Sequence, residues 1–233
     1  MANDRGHHPS ALRNRVVILE ELQQILPADA QGHVLEIGSG SGAHLEYFTP
    51  AFPGLLFHPS ERVIIGDAAS RTFESSGRVV DASLPNELAV INAVGQHYVN
   101  AVAAVALDLL APFSSYDASL LALQGKFTMI FLVNVLHFTG LPGIRGLALA
   151  ASKLLEPNGV LVMYGPFKSA GGYEGVASNK EFDAMLKSKN PAFGLVDVDD
   201  VVRIGAEHGL GVQEIKKVPA NNKVIVMRKL AKL

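Results

Sequence analysis

Val34-Leu35-Glu36-Ile37-Gly38-Ser39-Gly40-Ser41-Gly42 decides the fold of this chain. An apolar run ending in three alternate glycines predicts a strand over 33–37 and a loop without side-chain bulk. A helix over 43–48 follows, stopped by Pro50. Such a loop lets a ligand approach the backbone closely, at the positive end of the next helix.

Upstream, Leu12, Val16, Leu19, Leu22, Ile25 and Leu26 recur at helical spacing. Ser10 is a plausible N-cap and Pro27 a stop, so a helix is expected over 10–26, placed to act as a lid. Residues 1–9 read as a mobile polar leader, and His7-His8 as solvated side chains rather than a metal site. Downstream, a strand over 55–58 closes at Pro59. The stretch 62–100 is harder to place, with an apolar run Val63-Ile64-Ile65, a turn patch at Ser75-Ser76-Gly77 and a helical pattern over 84–94. Residues 101–109 suit a third strand, although their alanines leave helix open.

The remainder reads cleanly. A buried strand is expected over 126–134, then a helix over 147–155 closed by Glu156-Pro157-Asn158-Gly159, and a strand over 160–164. A loop with Gly171, Gly172 and Gly175 leads to helices over 179–188 and 200–208, the second ended by Gly209. The acidic run Asp197-Val198-Asp199-Asp200 is read as a helix cap, not a metal site. Strands over 212–218 and 224–228 flank the turn Pro219-Ala220-Asn221-Asn222. Alternating strands and helices imply a doubly wound α/β domain with a mostly parallel sheet and a C-terminal antiparallel hairpin. Its ligands bind beyond the carboxyl ends of the strands, where strand order reverses.

Composition narrows the function classes. The 233 residues, 48% hydrophobic and 18% charged, suit one domain over 1–233 and exclude disorder. The net charge of -2, from 20 Lys+Arg against 22 Asp+Glu, comes with no basic run, which argues against a nucleic-acid partner. With no cysteine, disulfides, thiolate metal sites and thiol catalysis are excluded. The N-terminus lacks the apolar core of a signal peptide, and no stretch approaches the ~18 apolar residues a spanning helix needs. The expectation is a soluble, cytoplasmic protein with no membrane partner.

Gly38 to Ala43 also satisfies the dinucleotide pattern G-x-G-x-x-A. Glu36 argues against that ligand, because a carboxylate two residues before the first glycine would repel a pyrophosphate. The same group suits an ammonium, which S-adenosylmethionine carries. Glu36 through Gly42 resembles motif I of class I S-adenosylmethionine-dependent methyltransferases, and Leu154-Leu155-Glu156-Pro157-Asn158-Gly159 is similar to the turn before their fifth strand. Further along, Tyr164-Gly165-Pro166-Phe167-Lys168, Ser178-Asn179 with Phe182-Asp183, Asn190-Pro191-Ala192-Phe193-Gly194-Leu195 and Pro219-Ala220-Asn221-Asn222-Lys223 resemble the methyltransferase-like protein 26 family and its bacterial relatives of unknown function. Arg13-Asn14-Arg15 and His58-Pro59-Ser60-Glu61 resemble that family too.

The resemblance implies a seven-stranded class I methyltransferase sheet, S-adenosyl-L-methionine as cofactor, and no settled substrate. It breaks down over 62–100, which looks like an insertion suited to an acceptor-site cover or a homodimer contact. Carried over residue by residue, Gly38, Ser39, Gly40 and Gly42 wrap the methionine portion, with Glu36 near its ammonium. Glu61 accepts from the ribose hydroxyls, with Asp67 as its rival, and Ser60 beside it is a further cofactor-binding candidate. Leu107 and Asp108 lie near the adenine, Asn134 near the amino acid portion, and Arg13 and Asn14 close over the cofactor. His137 and Tyr164 are the candidates to polarise a small-molecule methyl acceptor, and Phe167, Asn179 and Asn221 to bind it. A methyltransferase-like protein without activity, an NAD-dependent oxidoreductase and a macromolecule methyltransferase are the competing readings.

Overall fold

A computed structural model describes residues 7–63 and 87–231. Asp67, Ser75-Ser76-Gly77 and Leu84, and the Val63-Ile64-Ile65 run past Val63, lie outside the described residues. The chain divides into two compact units, Met1–Asp108 and Leu109–Leu233.

In the first unit, helix α1 (Pro9–Ile25) leads into strand β1 (Gly32–Ile37) and helix α2 (Ala43–Phe48). Strand β2 (Leu55–Glu61), helix α3 (Glu87–Gly95) and strand β3 (Val105–Ala106) follow. Helix α1 begins one residue before Ser10. Pro9 lacks an N–H that would need a partner, and the His8 imidazole accepts from Ser10 N at 3.2 Å as the cap. His7 is buried, so the leader reading fails at its last three residues. β1 pairs in parallel with β2, from Gly32 opposite Leu55 to Ile37 opposite Ser60, and Val34, Leu35, Leu55 and Phe57 fill the core.

Two expectations change here. Pro59 does not close β2, which runs on to Glu61. Pro59 has no N–H to donate, and the carbonyl of Glu36, in register with it, accepts from the Ser60 hydroxyl at 2.7 Å. The expected strand over 101–109 is reduced to Val105–Ala106. Val102 N donates to the Phe57 carbonyl, but Ala104 N is taken by the Asn92 side chain at 2.7 Å, so the ladder is interrupted.

The second unit runs through α4 (Ala118–Leu121), β4 (Phe127–Val133), α5 (Gly140–Leu154), β5 (Leu155–Gly165), α6 (Ala177–Lys189), α7 (Val198–Glu207), β6 (Leu210–Val218) and β7 (Asn222–Lys229). Helix α5 starts well before residue 147, because Ile144, Leu147, Ala148, Ala151 and Leu154 continue one buried face. Phe127 faces Leu155 while Met129 faces Val160, so Glu156-Pro157-Asn158-Gly159 loops out of β5. Asn158 takes the left-handed conformation there, at φ 65°. Asp197 caps α7, accepting from Asp199 N at 3.0 Å.

The seven strands form one sheet in the order β3-β2-β1-β4-β5-β7-β6. β1, β2 and β3, and likewise β4 and β5, pair in parallel, and β7 runs antiparallel to β5 and β6. This is the α/β architecture with a terminal hairpin. Among the described residues no helix is long and apolar enough to cross a membrane.

Two imidazoles are built into the core. His58 Nε2 lies 2.9 Å from His33 Nδ1 on the neighbouring strand; burial, then the His33 charge, lowers its pKa to about 4. His137 packs against Phe138 and edge-on to Phe182, and burial lowers it to about 4 as well. In the unfolded chain both take protons near 6.5, so between 6.5 and about 4 the unfolded state holds more protons. Their neutral burial contributes stability that is intact above 6.5 and is lost as pH falls toward 4. Each group removes about 1.4 kcal/mol per pH unit in that window. Urea unfolding should therefore give a falling free energy below about pH 6.5, and His137→Leu should flatten the slope. Equal slopes would contradict the neutral burial of His137.

Gly146 of α5 sets a close approach, since a Cβ there would lie 1.8 Å from the Leu109 carbonyl oxygen. Gly146→Ala should cost about 1–3 kcal/mol in the same assay, from the backbone shift it forces. An unchanged urea midpoint would contradict that contact.

Candidate functional site

The glycine loop is braced from below by the end of β2. Gly38 N and Ser39 N both donate to the Ser60 carbonyl at 2.9 Å, and Ser60 N donates to Ser39 Oγ at 3.2 Å. Gly40 N donates to Glu61 Oε2 at 2.7 Å, while Arg62 N donates to Glu61 Oε1 at 2.9 Å. Gly38, Gly40 and Gly42 have φ of 78°, 56° and 77°, a region that disfavours side chains. A Cβ at Gly40 would meet nothing within 4 Å, so that face of the loop is open to close approach. At Gly42 a Cβ would press on Val94 of α3 at 3.2 Å.

Two carboxylates are buried beneath this loop. Glu36, at the end of β1, is 2% exposed. His44 Nδ1 donates to its Oε1 at 2.8 Å, whereas Oε2 is fully buried and takes no hydrogen bond from the described residues. Burying a charged oxygen without a partner is costly, so its position beside a glycine loop points to a cationic ligand. Glu61 is 6% exposed. Burial raises its pKa; the Gly40 and Arg62 amides oppose that, and the charges of Glu36 and Glu87 reinforce it.

A second layer rests on the loop. His7 Nδ1 lies 2.7 Å from Ser41 Oγ, and its Nε2 lies 3.1 Å from Glu46 Oε2. Arg15 of α1 donates to the same Glu46 oxygen at 3.3 Å and sits over the Tyr47 ring, 4.7 Å from its centroid. Arg13 is exposed and Asn14 half-buried, so the contact from Arg13-Asn14-Arg15 comes from its third residue. Leu107 is buried at the end of β3, its N donating to the Glu61 carbonyl at 3.0 Å. Asp108 accepts from Arg62 Nε at 2.9 Å.

In the second unit, Asn134, His137, Tyr164 and Phe167 come together around a small cavity of about 10 Å³. Asn134 turns the chain out of β4 at φ 59°, with its N donating to the Tyr164 carbonyl at 2.9 Å. The His137 carbonyl accepts from Gly194 N at 2.9 Å. Burial keeps the His137 ring neutral near pH 7, which makes it a weak proton acceptor.

Asn222 Nδ2 donates to the Tyr164 hydroxyl at 3.0 Å and to the Pro219 carbonyl at 3.3 Å. The carbonyl can only accept, which fixes the amide orientation and leaves the Tyr164 proton to be donated elsewhere. Burial raises the Tyr164 pKa, so the phenol stays protonated and acts as a donor. Asn179 donates to the Asn221 carbonyl at 3.3 Å, and Asn221 donates to Ser178 Oγ at 3.2 Å, tying the hairpin turn to the start of α6. Lys223, 5% exposed, donates to Ser169 Oγ at 2.6 Å and pairs with Glu174 at 2.7 Å.

His7, Arg15, His44, Asn222 and Lys223 were not among the residues selected from sequence. Their partners lie 31 to 58 positions away, or eight for His44, and no local spacing announces them. Of these, Arg15, Asn222 and Lys223 lie within the segments that carry the family resemblance. Among the described residues no group of three or more His, Cys, Asp or Glu could hold a metal ion.

The fold has relatives among solved structures. An O-methyltransferase family protein from Burkholderia thailandensis superposes with a TM-score of 0.68 at 13% identity, over 95% of this chain and 58% of its own. An O-methyltransferase family 2 protein from Planctomyces limnophilus in complex with apigenin gives 0.64 at 15%, over 98% and 62%. Human N-acetylserotonin methyltransferase in complex with SAM gives 0.59 at 13%, over 94% and 57%. The chain thus spans little more than half the length of these structures, and the likeness is one of fold. A family model, described as a protein of unknown function (DUF938), matches residues 5–229. With nearly its whole length matched, the chain belongs to that family, and its sheet is the Rossmann-like sheet of the methyltransferases.

Proposed function

We propose that this chain is an S-adenosylmethionine-dependent methyltransferase acting on a small molecule. The observation that carries the reading is the buried Oε2 of Glu36, without a hydrogen bond among the described residues, beside an open glycine loop. The residues present fit this cofactor: Glu36 for the ammonium, the bulk-free face of the loop at Gly40 for close approach of the amino acid portion, and Glu61 and Asp108 for the nucleoside. When bound, the cofactor supplies an electrophilic methyl group on a sulfonium.

The chain's own work is to bind, orient and exclude water. Glu61 keeps a lone pair on each oxygen beyond the Gly40 and Arg62 bonds, enough to accept from ribose hydroxyls. Tyr164, oriented by Asn222, donates a hydrogen bond to the methyl acceptor. His137, neutral and ring-packed, shapes the cavity rather than taking the proton. Methyltransferases among the fold relatives, one of them in complex with apigenin, support a small-molecule acceptor. The C-terminal segments further suggest kinship with the methyltransferase-like protein 26 family.

Calorimetry should give micromolar binding of S-adenosylhomocysteine and none of NAD. Glu36→Gln should weaken S-adenosylhomocysteine at least tenfold, since hydrogen bonds to charged groups contribute about 1.5–3 kcal/mol. Binding of NAD alone would overturn the proposal. With methyl-tritiated cofactor and a panel of phenols, carboxylic acids and amines, Tyr164→Phe should cut label transfer at least tenfold at unchanged S-adenosylhomocysteine affinity. Cofactor binding with no transfer to any acceptor would instead favour a binding protein on this fold.

A further inference from the structure

The glycine pattern accounts for the loop and for Glu36, but not for the side chain that holds Glu36 in place. His44 is the second residue of α2, and its side chain is 7% exposed. Its ring stacks on Phe48 with centroids 5.5 Å apart and planes 17° apart, which fixes its plane. From there Nδ1 reaches Glu36 Oε1 at 2.8 Å. A carboxylate at this separation only accepts, so the proton lies on Nδ1.

We propose that His44 is a positioning residue that sets Glu36 to receive the ligand's ammonium, engaging Oε1 so that Oε2 alone is presented. The inference rests on the cofactor reading above and adds the group that orients the carboxylate. Without the Nδ1 bond, Glu36 would be a buried carboxylate free to turn, and its orientation would have to be fixed each time a ligand bound. Phe48 supports His44, His44 supports Glu36, and the ligand's cation meets only the last of these. The effect is confined to ligands that carry the amino acid portion.

That confinement supplies the test. Calorimetry on the full chain would use S-adenosylhomocysteine, which has the ammonium, and 5′-methylthioadenosine, which lacks it. His44→Phe keeps an aromatic ring against Phe48 but has no donor. It should weaken S-adenosylhomocysteine about tenfold or more and leave 5′-methylthioadenosine within about twofold. His44→Asn, whose amide can donate from near the Nδ1 position, should restore most of the lost affinity, and it keeps the test valid should the phenylalanine variant fail to fold. Equal losses for both probes, or no loss for either, would overturn the positioning role while leaving the site intact. Wild-type protein that bound neither probe would overturn the cofactor reading itself, and the role of His44 with it.

Discussion

Four hydrogen bonds between the end of β2 and the glycine loop hold the site in shape. The Ser60 carbonyl takes Gly38 N and Ser39 N, the Ser60 amide reaches Ser39 Oγ, and Glu61 takes Gly40 N. A loop with three left-handed glycines has little conformational preference of its own, and each glycine loses more backbone entropy on ordering than any other residue. The strand end removes that freedom without placing a side chain on the open face at Gly40. Extension of β2 through Pro59 to Glu61 is therefore what makes the loop a preorganised surface rather than a mobile turn.

Charge follows from this geometry. Parallel pairing of β1 with β2 brings Glu36 and Glu61 under one loop, and both are nearly inaccessible. Burial raises the pKa of Glu61, and the charge of Glu36 adds to that. His44 satisfies one oxygen of Glu36, and backbone amides satisfy Glu61. The remaining Glu36 oxygen is buried and takes no hydrogen bond from the described residues. Around it, His7, Arg15 and Glu46 tie the first turns of the chain to the loop, so any ligand there meets a surface already tightened on two sides.

Much of this was legible in the sequence because its causes are local. The short helix after the glycines runs from Ala43 to Phe48, as the spacing between Gly42 and Pro50 required. The strand through Phe127–Val133 and the terminal hairpin followed from apolar continuity and turn chemistry. What stayed hidden depends on long-range bonds. Ser60 rescues a strand across a proline, and Asn92 interrupts one by capturing Ala104 N. Tyr164 was singled out by its position at a strand end, but its role as a donor depends on Asn222, 58 residues away. His137 is a candidate from sequence to polarise the acceptor, and its packing against Phe138 and Phe182, with the lowered pKa that burial brings, depends on contacts that no local spacing announces.

The central claim is that the buried carboxylate at the end of β1 recognises the ammonium of a sulfonium nucleoside. A crystal structure of the chain with S-adenosylhomocysteine tests it most directly. The account predicts the amino acid nitrogen within about 3.2 Å of Glu36 Oε2, with the Glu36–His44 bond retained. A ligand seated elsewhere, or one whose ammonium faced solvent while Glu36 stayed buried and apart, would contradict it.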